Sequence, residues 1–522
     1  MSSKRVPMFR MRPLATLILI YIFYSAGLQG SNDKPNFIVI LADDMGYSDL
    51  GCTGSEIETP HLDILAKNGL LFTNLYNTAR CCPTRASLLT GLYSHNAGVG
   101  YMDSDSGYPG YRGHLSENAV TIAEVLGEKS YQTILSGKWH LGGVREYWPD
   151  RRGFQKFYGV PQGGGLYFYP SRFIDRKIYR NGEHIEPEDP NYYTTDAFTT
   201  EALKFIAESN RDGKPFFLYL AYVAPHYPLQ AHEEDIQKHL GKYKAGYEAI
   251  RNARFKKQKR LGIVNPDTKL SPIHDGSVID DVETMDRKMA VYAAQMDNLD
   301  QNVGRLVKGL MDMKLFENTL ILFMSDNGAV LSEVDWELDG GPRGEIGTNE
   351  SFVSYGKHWG NVSNTPFRKY KSQAHEGGVV SPLIAHWPNG IKRHQKVREV
   401  VHVIDIFPTL LELANVDYPK RFRGHRIKPL QGASFSNVIK GESLESDRPI
   451  FWEHMGNSGV RKGDLKAVRT HGQPWELYNL SSDPTELDDL AEARPQDLGR
   501  LKIAYKKWAK ENGVMDWPLP GR

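Results

Sequence analysis

Residues 36–44 read NFIVILADD, an apolar run that ends in two aspartates. Such a run, without polar alternation, is typical of a strand buried on both faces within a parallel sheet. Similar runs occur at residues 216–223 (FFLYLAYV) and 319–324 (TLILFM), and a shorter one at 132–135. Patterns typical of helices lie between these runs, at residues 60–68, 119–128, 197–207 and 289–310. The alternation predicts an α/β fold whose sheet is covered by helices on both faces.

The alternation of strands and helices weakens after about residue 420. The stretch 475–480, a turn at Asp483-Pro484 and a helical pattern at 495–511 predict a smaller α+β domain there. We therefore expect a main domain at residues 31–420 and a smaller C-terminal domain at residues 421–522. Residues 331–364 are polar and rich in glycine, which predicts a long loop or insertion near the functional site.

The N-terminus carries the three parts of a secretory signal. Four basic residues precede residue 14, an apolar stretch occupies residues 14–24, and small residues follow at 25–27. The apolar stretch is too short to span a bilayer comfortably, which favours a cleaved signal at residues 1–30 over a retained membrane anchor. We therefore expect export to the periplasm or the cell exterior, with no stable membrane partner.

The composition excludes several classes of protein. The 522 residues include 64 basic and 63 acidic ones, so the formal net charge is +1. This balance argues against nucleic acid, or a membrane surface, as a partner held by net charge. The three cysteines exclude a disulfide framework. Hydrophobic residues make up 40% of the chain, an ordinary value for a globular protein with a large core.

Acidic residues follow two of the predicted strands. Asp43 and Asp44 end the first apolar run, and Asp326 and Asn327 follow the run at 319–324. Ligands of α/β sheets bind beyond the carboxyl ends of the strands, so we expect these side chains to meet there. Carboxylate and amide oxygens favour Ca²⁺ or Mg²⁺ over Zn²⁺, which prefers His and Cys. The alternative is that these residues only cap the next helix or turn.

A second candidate site is the segment Cys81-Cys82-Pro83-Thr84-Arg85, which precedes ASLLTG at residues 86–91. Pro83 and Thr84 favour the start of a short helix that ends at residue 91. A cysteine at a helix N-terminus faces the positive end of the helix dipole, and the guanidinium of Arg85 matches an oxyanion. The residues alone leave two other interpretations open, a redox-active pair of vicinal thiols and a buried structural cysteine.

These residues resemble the signature of type I sulfatases, C-x-P-T-R followed by A-S-L-L-T-G. The motif LADDMGYSDLG at 41–51 agrees with the same family, and the resemblance extends from residue 35 to WELYNLSSDP at 475–484. It implies an alkaline-phosphatase-like fold, in which helices sandwich a large, mixed and mostly parallel sheet beside a smaller C-terminal domain. It also implies that a maturation enzyme converts Cys81 to formylglycine, an aldehyde whose hydrate attacks sulfur. The segment NTPFRKYK at 364–371 looks closest to bacterial arylsulfatases.

The remaining site residues of the family are carried over motif by motif. GKWHLG at 137–142 gives Lys138 and His140, APHYP at 224–228 gives His226, and KSQAHEGG at 371–378 gives Lys371. The resemblance implies that His140 accepts a proton, that His226 or Lys371 protonates the leaving oxygen, and that Lys138 and Lys371 neutralise the sulfate. It implies one divalent metal, Ca²⁺ in preference to Mg²⁺, with these ligands: Asp43, Asp44, Asp326, Asn327 and the modified Cys81. Arg85 would assist the attack.

The sequence thus predicts an exported, metal-dependent hydrolase of aryl or carbohydrate sulfate monoesters. Its expected partners are a sulfated small molecule or glycan as substrate and a formylglycine-generating enzyme for maturation. Two alternatives stay open: a phosphonate monoester or phosphodiester hydrolase with the same nucleophile, and an inactive protein that binds sulfated glycans. The second would lack a nucleophile, metal or lysine position, and every one of them is present.

Overall fold

The structure is a computed structural model and describes residues 1, 34–171, 175–273, 280–330, 344–444 and 447–520. The predicted signal at residues 1–30 lies outside these ranges apart from Met1, as do residues 331–343 of the predicted insertion. Within the described ranges, no helix combines the length and the apolar character needed to cross a membrane.

The large sheet contains eleven strands within the described residues. Their bounds are Asn36–Ala42 (β1), Leu70–Tyr76 (β2), Gln132–Lys138 (β3), Lys156–Val160 (β4), Ile178–Arg180 (β5), Glu183–Ile185 (β6), Phe216–Ala221 (β7), Thr319–Ser325 (β8), Val380–His386 (β9), Gln395–Val397 (β10) and Val401–His402 (β11). They lie in the order β10-β2-β9-β8-β1-β7-β3-β4-β5-β6, and β11 pairs with β2. Strands β9 and β5 are antiparallel to both of their neighbours. The prediction of a mixed, mostly parallel sheet is confirmed.

Strand β1 lies at the centre of the sheet, as its uninterrupted apolar run predicts. It runs parallel to β7 on one side and β8 on the other, and all seven of its residues are buried. Ile38 and Ile40 pack into one hydrophobic cluster, whereas Val39 and Leu41 pack into another. Alternate residues therefore face two separate cores, one on each face of the sheet, which explains why no polar residue interrupts the run.

Helices pack on both faces of the large sheet and complete the two cores. Their bounds are Pro60–Lys67 (α1), Cys81–Thr90 (α2), Ser94–Ala97 (α3), Ile122–Gly127 (α4), Thr194–Arg211 (α5), Glu233–Gln237 (α6), Tyr247–Leu261 (α7), Val282–Asp312 (α8), Gly356–Ser363 (α9), Glu376–Val379 (α10), Ile406–Leu413 (α11), Ser436–Ile439 (α12) and Pro495–Glu511 (α13). Short 3₁₀ turns lie at Gly51–Thr53, Arg145–Tyr147, Pro149–Arg151, Phe316–Asn318 and Val403–Asp405. The predicted helix at 119–128 is shorter in the structure. The Thr121 hydroxyl and the Glu124 carboxylate accept each other's backbone N–H groups, and this capping box starts α4 after Thr121.

A second sheet forms in the C-terminal region beside a helix, as the predicted α+β character requires, and the structure shows that this sheet is antiparallel. It consists of Ile450–His454 (β14), Asn457–Lys462 (β15), Leu465–Arg469 (β16) and Glu476–Asn479 (β17), with α13 packed on it. A two-stranded ribbon, Arg421–Phe422 (β12) and His425–Arg426 (β13), precedes it. The Trp452 indole donates a hydrogen bond to the Asn77 carbonyl, which ties the small sheet to the segment before Cys81. A domain boundary at residue 420 stays a prediction.

The described part of the predicted insertion contains helix α9, which the polar, glycine-rich sequence did not indicate. Its Trp359 is fully buried, and the indole N–H donates a hydrogen bond of 3.1 Å to the Met285 carbonyl. The Tyr355 ring stacks on Tyr292 of α8 at a centroid distance of 4.5 Å. These two aromatic side chains therefore anchor the segment to the core.

Candidate active site

The candidate site lies at the carboxyl ends of the central strands. Asp43 and Asp44 directly follow β1, and Asp326 and Asn327 directly follow β8, the parallel neighbour of β1. Lys138 is the last residue of β3. Because parallel strands end at the same edge of a sheet, sequence segments far apart in the chain meet there. His140 and His226 come from the loops after β3 and β7.

Helix α2 brings Cys81 and Arg85 to the same place. It begins at Cys81, two residues before the predicted start at Pro83, and it ends at Thr90, where the C-cap residue Gly91 has the left-handed conformation with φ 66°. Pro83 is tolerated because it stays within the first turn, where its missing N–H is not needed. Every residue of α2 is buried, so Cys81 and the Arg85 guanidinium are held inside the protein.

Arg85 connects the two pairs of strand-end residues. Its Nη2 and Nε lie 2.9 and 3.2 Å from Asp326 Oδ2, and Nη2 lies 3.6 Å from Asp43 Oδ2. Its Nη1 donates a hydrogen bond of 3.0 Å to the Lys138 carbonyl. The guanidinium is completely buried, and burial alone would lower its pKa, but Tyr219, Asp326 and Asp43 raise it. Arg85 therefore remains a fixed positive charge between Asp43 and Asp326.

Two lysines approach the aspartates from different loops. Lys138 Nζ donates to Asp43 Oδ2 at 2.5 Å, and Lys371 Nζ donates to Asp44 Oδ1. Burial would raise the pKa of Asp43, but Lys138, His226 and Arg85 outweigh it and hold that pKa below its ordinary value. For Lys371, burial would lower the pKa, but Asp44 and Cys81 raise it. Lys371 is therefore charged at neutral pH.

Three oxygens of this cluster have no hydrogen-bond partner among the described residues: Asp43 Oδ1, Asp44 Oδ2 and Asn327 Oδ1. The Asn327 amide donates instead to Asp44 Oδ1 at 2.7 Å, which leaves its own oxygen free to accept. Buried oxygens without donors are costly, and burial together with the charge of Asp43 raises the pKa of Asp326. A divalent cation held by these oxygens would relieve both costs, so the residues fit such an ion.

The structure groups candidate metal ligands in two sets. Ligand atoms of Asp43, Asp44 and His226 lie within 4.8 Å of one another, and so do those of Cys81, Cys82 and His140. The first set carries the partner-free carboxylate oxygens and suits a hard cation. In the second set, the Cys82 thiol donates a hydrogen bond that lowers the pKa of Cys81, and Lys138, Lys371 and His140 lower it further.

Both histidines of the site are held neutral. Burial lowers the pKa of His140, Lys138 lowers it further, and its Nδ1 has no partner among the described residues. Burial also lowers the pKa of His226, although Asp44 lies 3.4 Å from its Nε2. The Nδ1 of His226 donates a hydrogen bond of 2.5 Å to the Tyr227 carbonyl, which fixes the ring. A neutral imidazole accepts a proton readily, as a general base requires.

The structure brings all ten sequence-predicted residues into one connected site, and their chemical roles stay predictions. It adds neighbours that sequence reasoning missed, above all Arg80 and His454. His454, from the small sheet, is 2% exposed and has no partner at either ring nitrogen within the described chain. Burial and the charge of Arg80 lower its pKa to about 3, and Cys81 lies close enough to affect it. No local motif marked either residue, because only the docking of the small sheet places His454 here.

Gly163 and Gly164 belong to a glycine triplet at residues 163–165 and were not predicted as site residues. A methyl group on Gly163 would lie 3.1 Å from His140 Nε2, and one on Gly164 would lie 3.3 Å from the His226 ring. The backbone therefore passes so close to both histidines that side chains would crowd them. The triplet itself was the signal that a close backbone approach was required.

Comparisons with known proteins identify the family. A family model described as Sulfatase matches residues 35–416, and one described as N-sulphoglucosamine sulphohydrolase, C-terminal, matches residues 369–503. An uncharacterized sulfatase of Schizosaccharomyces pombe is 34% identical over 94% of this chain and 96% of its own. The arylsulfatase of Klebsiella aerogenes is 34% identical over 78% of this chain and 92% of its own. The crystal structure of Ps i-CgsB in complex with k-i-k-neocarrahexaose is 29% identical, covers 93% of this chain and 94% of that chain, and has a TM-score of 0.69.

The match spans most of the chain and includes every segment that contributes to the strand-end site. Sulfatases generally bind a divalent metal, and Asp43, Asp44 and His226 offer a possible site for it here. The chain therefore belongs to the sulfatase family and is a hydrolase of sulfate esters.

Proposed function

We propose that this enzyme hydrolyses aryl or carbohydrate sulfate monoesters with a formylglycine derived from Cys81 and one bound Ca²⁺. The observation that carries the proposal is the convergence of charge on Cys81. Lys138 and Lys371 are close enough to lower the pKa of its thiol, and Arg85 lies one helical turn further along α2. A sulfate ester is an anion, so a buried site that concentrates three cations around the nucleophile suits this substrate.

We assign the metal to Asp43, Asp44, Asp326 and Asn327, with the modified Cys81 as a further ligand. The partner-free oxygens of Asp43, Asp44 and Asn327 support the assignment, and an all-oxygen set favours Ca²⁺ or Mg²⁺. The ion would polarise a sulfate oxygen, and the hydrated aldehyde would supply a hydroxyl nucleophile. The family resemblance is what favours Ca²⁺ over Mg²⁺.

The remaining residues would hold the sulfate and move protons. Arg85 would assist the attack, and Lys138 and Lys371 would neutralise the sulfate oxygens, where each preorganised donor contributes roughly 3 kcal/mol in well-studied enzymes. His140 would accept a proton from position 81, since its ring is neutral and its Nδ1 has no partner in the described chain. His226, once it has taken up a proton at Nε2, or alternatively Lys371, would donate a proton to the departing alcohol oxygen.

The physiological setting belongs to the same proposal. The basic and apolar N-terminal segment supports export through a cleaved signal. A formylglycine-generating enzyme is the expected partner for maturation, because this chain contains only the substrate motif around Cys81. The relative solved in complex with k-i-k-neocarrahexaose supports a carbohydrate as the part of the substrate that carries the sulfate.

Mass spectrometry of the peptide that carries Cys81 tests the proposal directly. We expect the aldehyde in active protein, and active protein with a free Cys81 thiol would contradict it. Cys81→Ala should abolish turnover of an aryl sulfate, whereas Cys82→Ala is the matched control and should keep most of it. Loss of turnover only in Cys82→Ala, with normal maturation, would show that Cys81 is not the nucleophile.

A comparison of two substrates distinguishes sulfate ester hydrolysis from the remaining alternative, hydrolysis of phosphodiesters or phosphonate monoesters. An aryl sulfate and the corresponding aryl phosphodiester present similar leaving groups to the same site. We expect faster turnover of the sulfate. Faster turnover of the diester would indicate a phosphodiester or phosphonate monoester hydrolase with the same nucleophile.

A further inference from the structure

A cavity of about 710 Å³ lies between the small antiparallel sheet and α13, outside the residues assigned to catalysis. Its size falls within the usual range for ligand pockets. We call it the C-terminal groove and define it by four cations and two aromatic residues of its lining: Arg469, Lys502, Lys506, Lys510, Trp475 and Trp517. Neither the catalytic proposal nor the sequence motifs account for this combination.

The groove carries uncompensated positive charge. Lys502, Lys506 and Lys510 are spaced by four residues, so they form one stripe along α13. Within the described chain, none of the four groove cations forms an ion pair with a carboxylate. Of the acidic lining residues, Glu453 accepts a hydrogen bond from His95 at 2.7 Å and is already engaged. Asp516 is the other acidic residue of the lining, so the groove has an excess of cations.

The aromatic residues give the groove flat apolar surfaces beside the charges. The Arg469 guanidinium lies 5.1 Å above the Trp475 ring, so the two groups present a charge and a face together. Trp517 lies at another part of the lining. Alternating cations and aromatic faces suit a ligand that has anionic groups on apolar ring faces, which is the chemistry of a sulfated sugar.

A line of rings connects the groove to the catalytic residues. The Trp517 ring lies 5.0 Å from the Tyr101 ring, and the Tyr101 ring stacks on His454 at 5.9 Å with an angle of 17°. His454 neighbours Arg80 and Cys81, and its ring nitrogens have no partners within the described chain. Glu453 and Gly456, which line the groove, flank His454 in the β14–β15 hairpin. These ring contacts therefore run from the groove to a buried histidine whose electrostatic surroundings include Arg80 and Cys81.

We propose that the C-terminal groove binds a second sulfated sugar of a carbohydrate chain whose reacting sulfate ester lies at Cys81. This inference rests on the proposed function and narrows its substrate class from any sulfate monoester to sulfated oligosaccharides. Nucleic acid is the other polyanion that binds cations and aromatic faces. The near-zero net charge of the whole chain disfavours it, because nucleic-acid-binding surfaces extend over a strongly basic face.

Titration calorimetry with k-i-k-neocarrahexaose tests the groove in a Cys81→Ala background, where the ligand is not consumed. Lys506→Glu should weaken binding about fivefold to tenfold, since it reverses one charge of the stripe. Lys507→Glu is the matched control: it lies on the same helix, outside the groove lining, with its side chain 76% exposed and 3.9 Å from Glu511. Equal affinities of these two variants would overturn the proposal.

Two further ligands identify what the groove recognises. The same hexaose without sulfate should bind at least about tenfold more weakly, because the cations would lose their partners. Equal binding of the desulfated hexaose, or tighter binding of a DNA oligonucleotide of equal charge, would overturn the proposal. Turnover of an aryl sulfate by matured protein is measured in parallel. Absence of aryl sulfate turnover would contradict the proposed function. Normal aryl sulfate turnover, together with equal affinities of Lys506→Glu and Lys507→Glu for the hexaose, would contradict the groove proposal alone.

Discussion

Two buried clusters each contain both acidic and basic residues, but they differ in how completely their oxygens are hydrogen-bonded. This difference distinguishes a functional site from a structural ion-pair network. The strand-end cluster consists of Asp43, Asp44, Asp326, Arg85, Lys138 and Lys371. The junction cluster, where the small sheet meets the large one, consists of Glu376, Glu486 and Lys466. In the junction cluster Lys466 Nζ lies 2.6 Å from Glu376 Oε1 and 2.9 Å from Glu486 Oε1. The second oxygens accept from the Tyr76 hydroxyl and the Glu376 N–H.

The strand-end cluster is less saturated than the junction cluster, where Glu486 Oε1 forms no hydrogen bond with the described residues but lies 2.9 Å from the Lys466 ammonium. One oxygen of Asp43 and one of Asp44 have no hydrogen-bond donor within the described chain, although both residues are as buried as the junction glutamates. Buried charge alone therefore does not identify a site, because buried ion pairs also occur as structural elements. Unfilled hydrogen-bonding capacity in a buried cluster is the more specific sign of a place for a ligand.

The largest effect is expected from Asp326→Asn. This nearly isosteric change removes one charge of the proposed metal site and one partner of Arg85. We expect loss of the metal on dialysis and a fall in turnover of at least about 10³-fold, beyond the effect of a single preorganised donor. Metal analysis by mass spectrometry and aryl sulfate kinetics measure both quantities.

The control for that experiment is Asp297→Asn, a change of another partly buried aspartate, on α8. It should leave metal content and turnover unchanged. Metal content equal to wild type in Asp326→Asn would show that the strand-end oxygens do not hold the ion.

Lys466→Met should produce the opposite pattern. It leaves two buried glutamates without their cation, which costs about 3–5 kcal/mol of unfolding free energy. Turnover per folded molecule should stay near the wild-type value at low temperature. Urea unfolding and kinetics on the same samples measure the two quantities, with the exposed Lys462→Met as control. A loss of turnover without a loss of stability would place the junction cluster in the catalytic machinery.

Glu476 lies beside the junction cluster, and it should make the free energy of unfolding depend on pH. Burial would raise its pKa, but the His375 hydrogen bond, Tyr478 and Arg368 lower it to about 2. Because the folded pKa lies below the unfolded one, its stabilisation is present above pH 4.5 and is lost as pH falls toward 2. Glu476→Gln should therefore be less stable than wild type by roughly 2–3 kcal/mol at pH 7.

The difference between Glu476→Gln and wild type should narrow as pH falls from 4.5 to 2. Urea titrations at a series of pH values measure it, and exposed Glu234→Gln is the control. A difference that is constant across this range would mean that the partners of Glu476 act through packing and not through its charge.

The strand-end cluster was predictable from sequence because its signals are local. The apolar run before Asp43 and Asp44 has the bounds of β1, and sheet geometry then requires Asp326 and Asn327 to lie nearby. Helix α2 was less predictable, because cysteines give no strong start signal and Pro83 fits any position in the first turn.

The contributions of the small sheet were not predictable in the same way. Lys466 and His454 lie in short antiparallel strands whose sequence shows only local alternation. Their contacts with Glu376 and the Cys81 region arise from the docking of one sheet on another. Trp359 illustrates the same limit, since an aromatic residue in a loop predicts a ligand contact and a core anchor equally well, and the structure shows the anchor.

The smallest effect is expected from Gly164→Ala, which tests how closely the strand-end site depends on the backbone beside it. The added methyl group would lie 3.3 Å from the His226 ring and 3.4 Å from Asp43 Oδ2, which is tight enough to displace them by tenths of an ångström. Crowding would cost stability, but alanine also restricts the unfolded chain, so the net change should stay within about 1 kcal/mol.

Activity should respond more strongly than stability, because positioning of a proton donor matters at distances that packing tolerates. We expect kcat/KM for an aryl sulfate to fall about tenfold. Gly143→Ala is the matched control, since its methyl group would meet only Gln162 at 4.0 Å. Unchanged kinetics in Gly164→Ala would mean that His226 is free to move away, and that its exact position does not set the rate. A tenfold loss of kcat/KM at unchanged stability would show that the strand-end cluster depends on the exact positions of its neighbours for activity. The junction cluster, in contrast, contributes to the free energy of unfolding.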